Sequence, residues 1–255
     1  MPVVTFKGRV FPQVLHLTIN PPITMGWKNH PLVEFDCEVE VKIDQGALDV
    51  KCTLNKFDFD KHMGQLYKEA YELSGVMICL YTFASGNGTT IIFDTFTLPN
   101  GTTSEIRTAN ESLADRCTVI DANGKNIHRV VELAMAEPLI HYALRDLNEC
   151  FLPNRTTVNC ARVVETIRTM IHPTPGDGDR RPAWLAMQEA LNFKQSYTQI
   201  ISKNSLSHRH GAFEPVDGPT NEQIIQRTWE VMNRFLEFRI RGNQALSAPD
   251  FPELS

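Results

Sequence analysis

The six cysteines (Cys37, Cys52, Cys79, Cys117, Cys150 and Cys160) include no C-x-x-C pair, and no apolar run is long enough to span a bilayer. Lys and Arg are in deficit against Asp and Glu, leaving a formal charge of -5. Each absence excludes a class. Thiols scattered through apolar runs suit a reduced, cytosolic protein better than a disulfide framework. The longest apolar run, residues 76–83, falls short of a membrane helix, and no charged segment followed by an apolar core opens the chain, so a cytoplasmic protein with no membrane association is expected. An acidic balance opposes non-specific coating of nucleic acid, which depends on many cations displacing counterions, and leaves RNA only a local basic patch. There is no Gly-rich phosphate loop, no G-x-S-x-G and no dinucleotide fingerprint, and no cofactor is expected.

What is present divides into two patterns. A chain of 255 residues with 42% hydrophobic composition suits two modest cores. Residues 2–19 read as strands ended by Pro12 and by Pro21-Pro22. In residues 32–43, Val33, Phe35, Cys37, Val39, Val41 and Ile43 alternate with charged residues. Gln45-Gly46 turns the chain, and Leu48, Val50, Cys52 and Leu54 repeat the alternation, which predicts an antiparallel hairpin with one buried face. The period then changes. Leu66, Ala70, Leu73, Met77 and Leu80 recur at three and four, a helix across the sheet that Ser85-Gly86-Asn87-Gly88 stops. Residues 90–98 form another strand, with Pro99-Asn100-Gly101 as a strand-joining turn. The expectation is an α+β domain, an antiparallel sheet plus one helix, over residues 1–125.

From residue 127 the period is helical. A helix over 128–150 is kinked or divided by Pro138. Cys160, Val163, Val164, Ile167, Met170 and Ile171 follow the helical template, with Thr156 or Thr157 as the cap. Residues 173–182 are a loop, and helices over 182–202 and 221–241 complete an all-α bundle of four or five helices within 126–243, followed by an extended tail over 244–255.

The stretch richest in chemistry is Lys203-Asn204-Ser205-Leu206-Ser207-His208-Arg209-His210-Gly211, read as a loop between two helices. In Lys203-Asn204-x-x-x-His208, a cation, an amide and an imidazole recur at short spacing before the last main helix. This half of the chain resembles the HEPN (higher eukaryotes and prokaryotes nucleotide-binding) superfamily, whose ribonuclease members carry Arg, often then Asn, and a His four to six residues later. Lys203 stands where that family has Arg, and His208 and His210 both compete for the histidine. The run Ala161-Arg162-Val163-Val164-Glu165-Thr166-Ile167-Arg168 also looks like this superfamily. The resemblance implies a bacterial homodimer of defence or toxin type that cleaves RNA without metal. In that chemistry the ribose 2′-OH attacks the adjacent phosphate, His moves the proton, and a cation stabilises the added charge. Lys203, Asn204, His208, Arg209 and His210 are then the catalytic candidates, with Glu165 and Arg168, one turn apart on the preceding helix, as binding candidates facing that loop.

Other readings of the same residues stand beside this one. Ser, Asn, Gly and basic side chains also make an ordinary helix C-terminus. His208-x-His210 with Glu214 or Asp217 has the elements of a metal site, although no metal is expected. Trp184, Trp229 and Met232 sit at core spacing and read as packing, and Glu165 with Arg168 reads as a surface ion pair. The competing functional class is a non-catalytic module that docks a protein partner through a sheet edge or a helix face.

Overall fold

The computed structural model describes residues 1–12, 16–29, 33–106, 111–120, 126–152, 154–173, 179–209 and 216–255, with backbone alone for Glu111, His208 and Arg209. It divides into two units, Met1–Thr108 and Ala109–Ser255. The boundary thus falls earlier than the expected 125. Residues 117–120 belong to the helical unit, since Val119 is buried in its core and the amides of Thr118 and Val119 both donate to Asn233 Oδ1.

In the first unit the alternating segments become strands β1 (Val3–Phe11), β2 (Ile19–Trp27), β3 (Asp36–Asp44), β4 (Ala47–Asn55), β5 (Thr90–Thr97) and β6 (Thr103–Glu105). They pair antiparallel in the order β2-β3-β4-β1-β5-β6. The β3-β4 hairpin closes at Asp44 and Ala47, with Gln45 and Gly46 both at positive φ, 51° and 80°, as a two-residue turn of primed type requires. Helix α1 (Phe59–Ser85) buries Leu66, Ala70 and Met77, with Gly86 closing it in the left-handed region at φ 69°. The core lies between this helix and the sheet face formed by Phe6, Val39, Val50, Cys52, Leu54 and Phe93. Gly8 sits at the β1-β5 irregularity, where a Cβ would come within 2.0 Å of the Ile92 carbonyl oxygen. One expectation fails here: Pro21-Pro22 do not end a strand but lie inside β2. That strand is at the sheet edge, where a missing N–H costs no ladder bond, and its pairing to β3 skips between Ile19 and Ile23.

The second unit is helical: α2 (Glu111–Ala114), α3 (Ile127–Ala136), α4 (Pro138–Glu149), α5 (Thr156–Ile171), α6 (Arg181–Leu191), α7 (Gln195–Arg209) and α8 (Gly218–Ile240). Helix α5 is central and packs against α4, α6, α7 and α8. The expected layout of sheet with one helix followed by a helical bundle is therefore present, with more and shorter helices. Pro138 starts α4 at a first-turn position instead of kinking one long helix. The stretch expected as one helix over 182–202 is two, because Asn192 takes the left-handed conformation (φ 53°) and closes α6. Thr156 and Thr157 lie in the first turn of α5 instead of capping it, and Thr156 Oγ1 donates to the Cys150 carbonyl. The tail expected as extended turns at residues 248–250, where the Phe251 amide donates to the Ser247 carbonyl, and the bundle holds it. Arg234, only 2% exposed, donates to the carbonyls of Leu191, Asn192 and Pro252, while at the Phe193-Leu254 bridge the Leu254 amide donates to the Asn192 carbonyl and the Leu254 carbonyl accepts from the Lys194 amide.

Candidate functional site

Helix formation itself brings charge together on α5. Its apolar stripe, Cys160, Val163, Val164 and Ile167, faces the core, which leaves Arg162, Glu165 and Thr169 on the outer side and Arg168 at the edge. On α4 the same period aligns Leu139, Tyr142, Arg145 and Asp146. At the start of α6, Arg180 and Arg181 precede Trp184, and the Arg181 amide donates to Asp179 Oδ1 at 3.0 Å.

Two clefts open along this surface. One, of about 510 Å³, lies among α5, α6 and α7, and the other, of about 530 Å³, between α4 and α5. They share Glu165, Arg168 and Arg180, and so form one trough. Among the described residues, five arginines (Arg145, Arg162, Arg168, Arg180 and Arg181) face it against two acids, Asp146 and Glu165. Arg168 is 8% exposed and lies over the Trp184 ring at 5.1 Å, a desolvated cation on an aromatic face. Trp184 is thus both a packing residue, as expected, and the wall of the cleft. Asp146 is 3% exposed. Its Oδ2 lies 3.3 Å from Arg162 Nε, its Oδ1 has no hydrogen-bond partner, and burial raises its pKa against the opposing pull of Arg162 and Arg145. An unmet buried acceptor of this kind costs about 1–3 kcal/mol.

The expected loop is largely helix. Helix α7 runs through Arg209, so Lys203, Asn204, His208 and Arg209 are helical residues, because the apolar positions Tyr197, Ile201 and the buried Ser205 keep a helical face on the core. Lys203 is exposed and does not line the trough. The Asn204 amide donates back to the Ile200 carbonyl at 2.8 Å. His210, Gly211 and Glu214 lie outside the described residues, as do the side chains of His208 and Arg209. Asp217 is engaged as the cap of α8: it accepts from the Thr220 amide and hydroxyl, both at 2.8 Å, and that amide holds its pKa below the ordinary value. Among the described residues no group of three metal-ligating side chains converges.

The two binding candidates fare differently. Glu165 and Arg168 both line the trough, opposite Ser202 and Leu206 of α7. Arg145, Asp146, Arg162, Arg180 and Arg181 were missed as site residues. A signal existed in Tyr142, Arg145 and Asp146 at three and four, but a polar stripe on a helix ordinarily means solvent. Trp229 packs edge-on against Phe151 at 5.9 Å and Met232 is buried, as packing residues should be.

No curated protein and no solved structure matches the chain. Residues 4–106 match a family model described as the domain of unknown function (DUF8168) N-terminal domain, and residues 125–240 match one described as the DUF8168 C-terminal domain. The chain therefore matches the two domains of DUF8168 in the order their descriptions state, over most of its length.

Proposed function

We propose that the helical unit binds single-stranded RNA in the arginine trough and cleaves it without metal, as a HEPN-like endoribonuclease of bacterial defence or toxin type working as a cytoplasmic homodimer. The observation that carries this reading is the charge of the trough: five arginines against two acids on a chain whose net charge is -5. That is the local basic patch an acidic RNA-binding chain needs. Helix α7 joins the trough to the resembling motif, since Ser202 and Leu206 line the cleft and Lys203 lies between them in sequence. In this reading the trough holds phosphates and a base, His208 or His210 moves the proton of the 2′-hydroxyl, and Lys203 and Arg209 stabilise the phosphorane-like charge. A reducing compartment suits the cysteines, which are free, with Cys37, Cys52, Cys150 and Cys160 buried.

A second reading, a module that docks a protein partner, is favoured by one feature of the first unit. Val76, Leu80 and Phe83 lie exposed at helical spacing on the last turns of α1.

The deciding experiment is cleavage of a mixed RNA pool in chelator by wild type and by His208→Ala/His210→Ala, with melting temperatures beside it. The catalytic reading expects a loss of about two to four orders of magnitude at unchanged melting temperature. No cleavage by either protein, with equal melting temperatures, favours the docking module, whereas equal cleavage by both overturns the catalytic role of these histidines. A folded monomer at micromolar concentration by light scattering counts against a composite site.

A further inference from the structure

The α4-α5 cleft has charges of its own besides the three residues it shares. Asp146 forms part of its wall, with one carboxylate oxygen on Arg162 and the other unmet. Arg145 lies over the ring of Tyr142 at 5.2 Å, and Tyr142 is itself 46% exposed. Arginines outnumber acids here, which draws an anion, yet a buried carboxylate in the same wall repels a bare one. A ligand that suits both must carry a phosphate and, close beside it, a hydrogen-bond donor. Each unit of RNA carries this combination in its phosphate and ribose 2′-hydroxyl, and DNA lacks the hydroxyl. Arg145, in turning onto a phosphate, frees the face of the half-exposed Tyr142 ring that it covers, and His141 lies beside that ring at 6.1 Å, so a base can take the place of the guanidinium. The Arg162 side chain is half exposed, so its turning onto a phosphate uncovers the carboxylate.

We propose that the α4-α5 cleft is a second nucleotide subsite, in which Arg145 and Arg162 hold a phosphate, Tyr142 stacks a base and Asp146 accepts a hydrogen bond from the 2′-hydroxyl of the same unit. The proposal rests on the reading of the trough as an RNA site. It adds that the ligand spans both clefts and that RNA is told from DNA at Asp146, away from the α7 motif.

The test uses the full chain carrying His208→Ala/His210→Ala, so that the probe survives, and reads fluorescence anisotropy of a labelled single-stranded RNA hexamer and of the DNA hexamer of the same sequence at fixed salt. The parent is expected to bind RNA at least about tenfold tighter than DNA, the value of a hydrogen bond to a charged group. Asp146→Leu brings the two affinities within about twofold, by weakening RNA and not DNA. Tyr142→Ala, at an exposed position, weakens the RNA hexamer about tenfold. Equal RNA and DNA affinity in the parent, discrimination surviving in Asp146→Leu, or an unaltered hexamer affinity in Tyr142→Ala overturns the subsite while the trough still binds nucleic acid. Binding of neither hexamer by the parent overturns the RNA reading of the trough and the subsite with it.

Discussion

Among the described residues the sheet unit fully buries two polar side chains, His62 and Ser74, and the helical unit buries nine, including Asp146, Arg168 and Arg234. The two in the sheet unit bond close by in sequence: Ser74 Oγ donates to the Ala70 carbonyl and His62 Nδ1 accepts the Asp58 amide, while His62 Nε2 has no hydrogen bond and lies 3.5 Å from Glu34. In the helical unit some ties are local, as from Thr228 to the Ile224 carbonyl, but others are long. Arg234 clasps the tail, and Asn233 binds the amides of residues 118 and 119. Buried polar groups are costly unless bonded, and each unit keeps some unmet against that cost, His62 Nε2 in the sheet unit and Asp146 Oδ1 with Asn159 Nδ2 in the helical unit. The sheet unit is organised mainly by apolar area, whereas the helical unit spends more of its interior on directed bonds, and the trough lies in the helical unit.

Substitutions sharpen this contrast, beginning with the largest effect. Phe6 is 1% exposed and stacks on Phe93 at 5.2 Å, so Phe6→Ala should cost about 3–5 kcal/mol in urea denaturation followed at the sheet unit, leaving the helical signal in place. A loss shared by both units would mean that they unfold as one. Arg234→Ala strands three carbonyls and the Glu230 carboxylate and should cost about 3 kcal/mol in the helical unit, with the tail becoming sensitive to protease. An intact tail in this variant would show that Leu246 and the Phe193-Leu254 bridge suffice to hold it.

Each unit also offers one aspartate cap, Asp58 on α1 and Asp217 on α8. Alanine at either should cost about 1 kcal/mol in its own unit, a pair of equal losses that melting curves can compare directly. The smallest effect is electrostatic and differs in sign between units. Burial raises the Asp146 pKa, so between the ordinary 3.8 and that raised value its native carboxyl holds a proton that the unfolded chain has released, and above it the carboxylate is charged. Its stability contribution therefore grows as pH falls from neutral toward the ordinary 3.8, and wild type should gain on Asp146→Asn over that range. In the sheet unit, hydrogen bonds from Lys61 to Glu34 and from the Asn29 amide to Asp36 hold those carboxyls below their ordinary values, so their contribution is lost on the same acidification. Parallel melting of Asp146→Asn and Asp36→Asn across pH reads both signs, and slopes of the same sign would refute the assignment.

Local period made most of the elements legible. Val39, Val41 and Ile43 against Val50, Cys52 and Leu54 determined the β3-β4 hairpin, since a period of two admits one register with a buried face. Leu66, Ala70 and Met77 determined α1, and Gly86 its end. Where tertiary context competes with local rules the sequence misleads. Pro21-Pro22 read as a stop until β2 proves to be an edge strand, and residues 203–209 read as a loop until Ser205 is seen buried with Ile201 on the core side of α7. The arginines of the trough show the limit most clearly. Arg145 comes from α4, Arg162 and Arg168 from α5, and Arg180 and Arg181 from the start of α6, and each alone looks like a solvated cation. By itself the sequence determined the strands, the helices and which faces they bury, because those depend on side-chain spacing along one element. Only the tertiary structure decided that these cations share a wall with the buried Asp146 carboxylate, because convergence depends on how separate helices pack, and helical period says nothing about which polar stripes will meet.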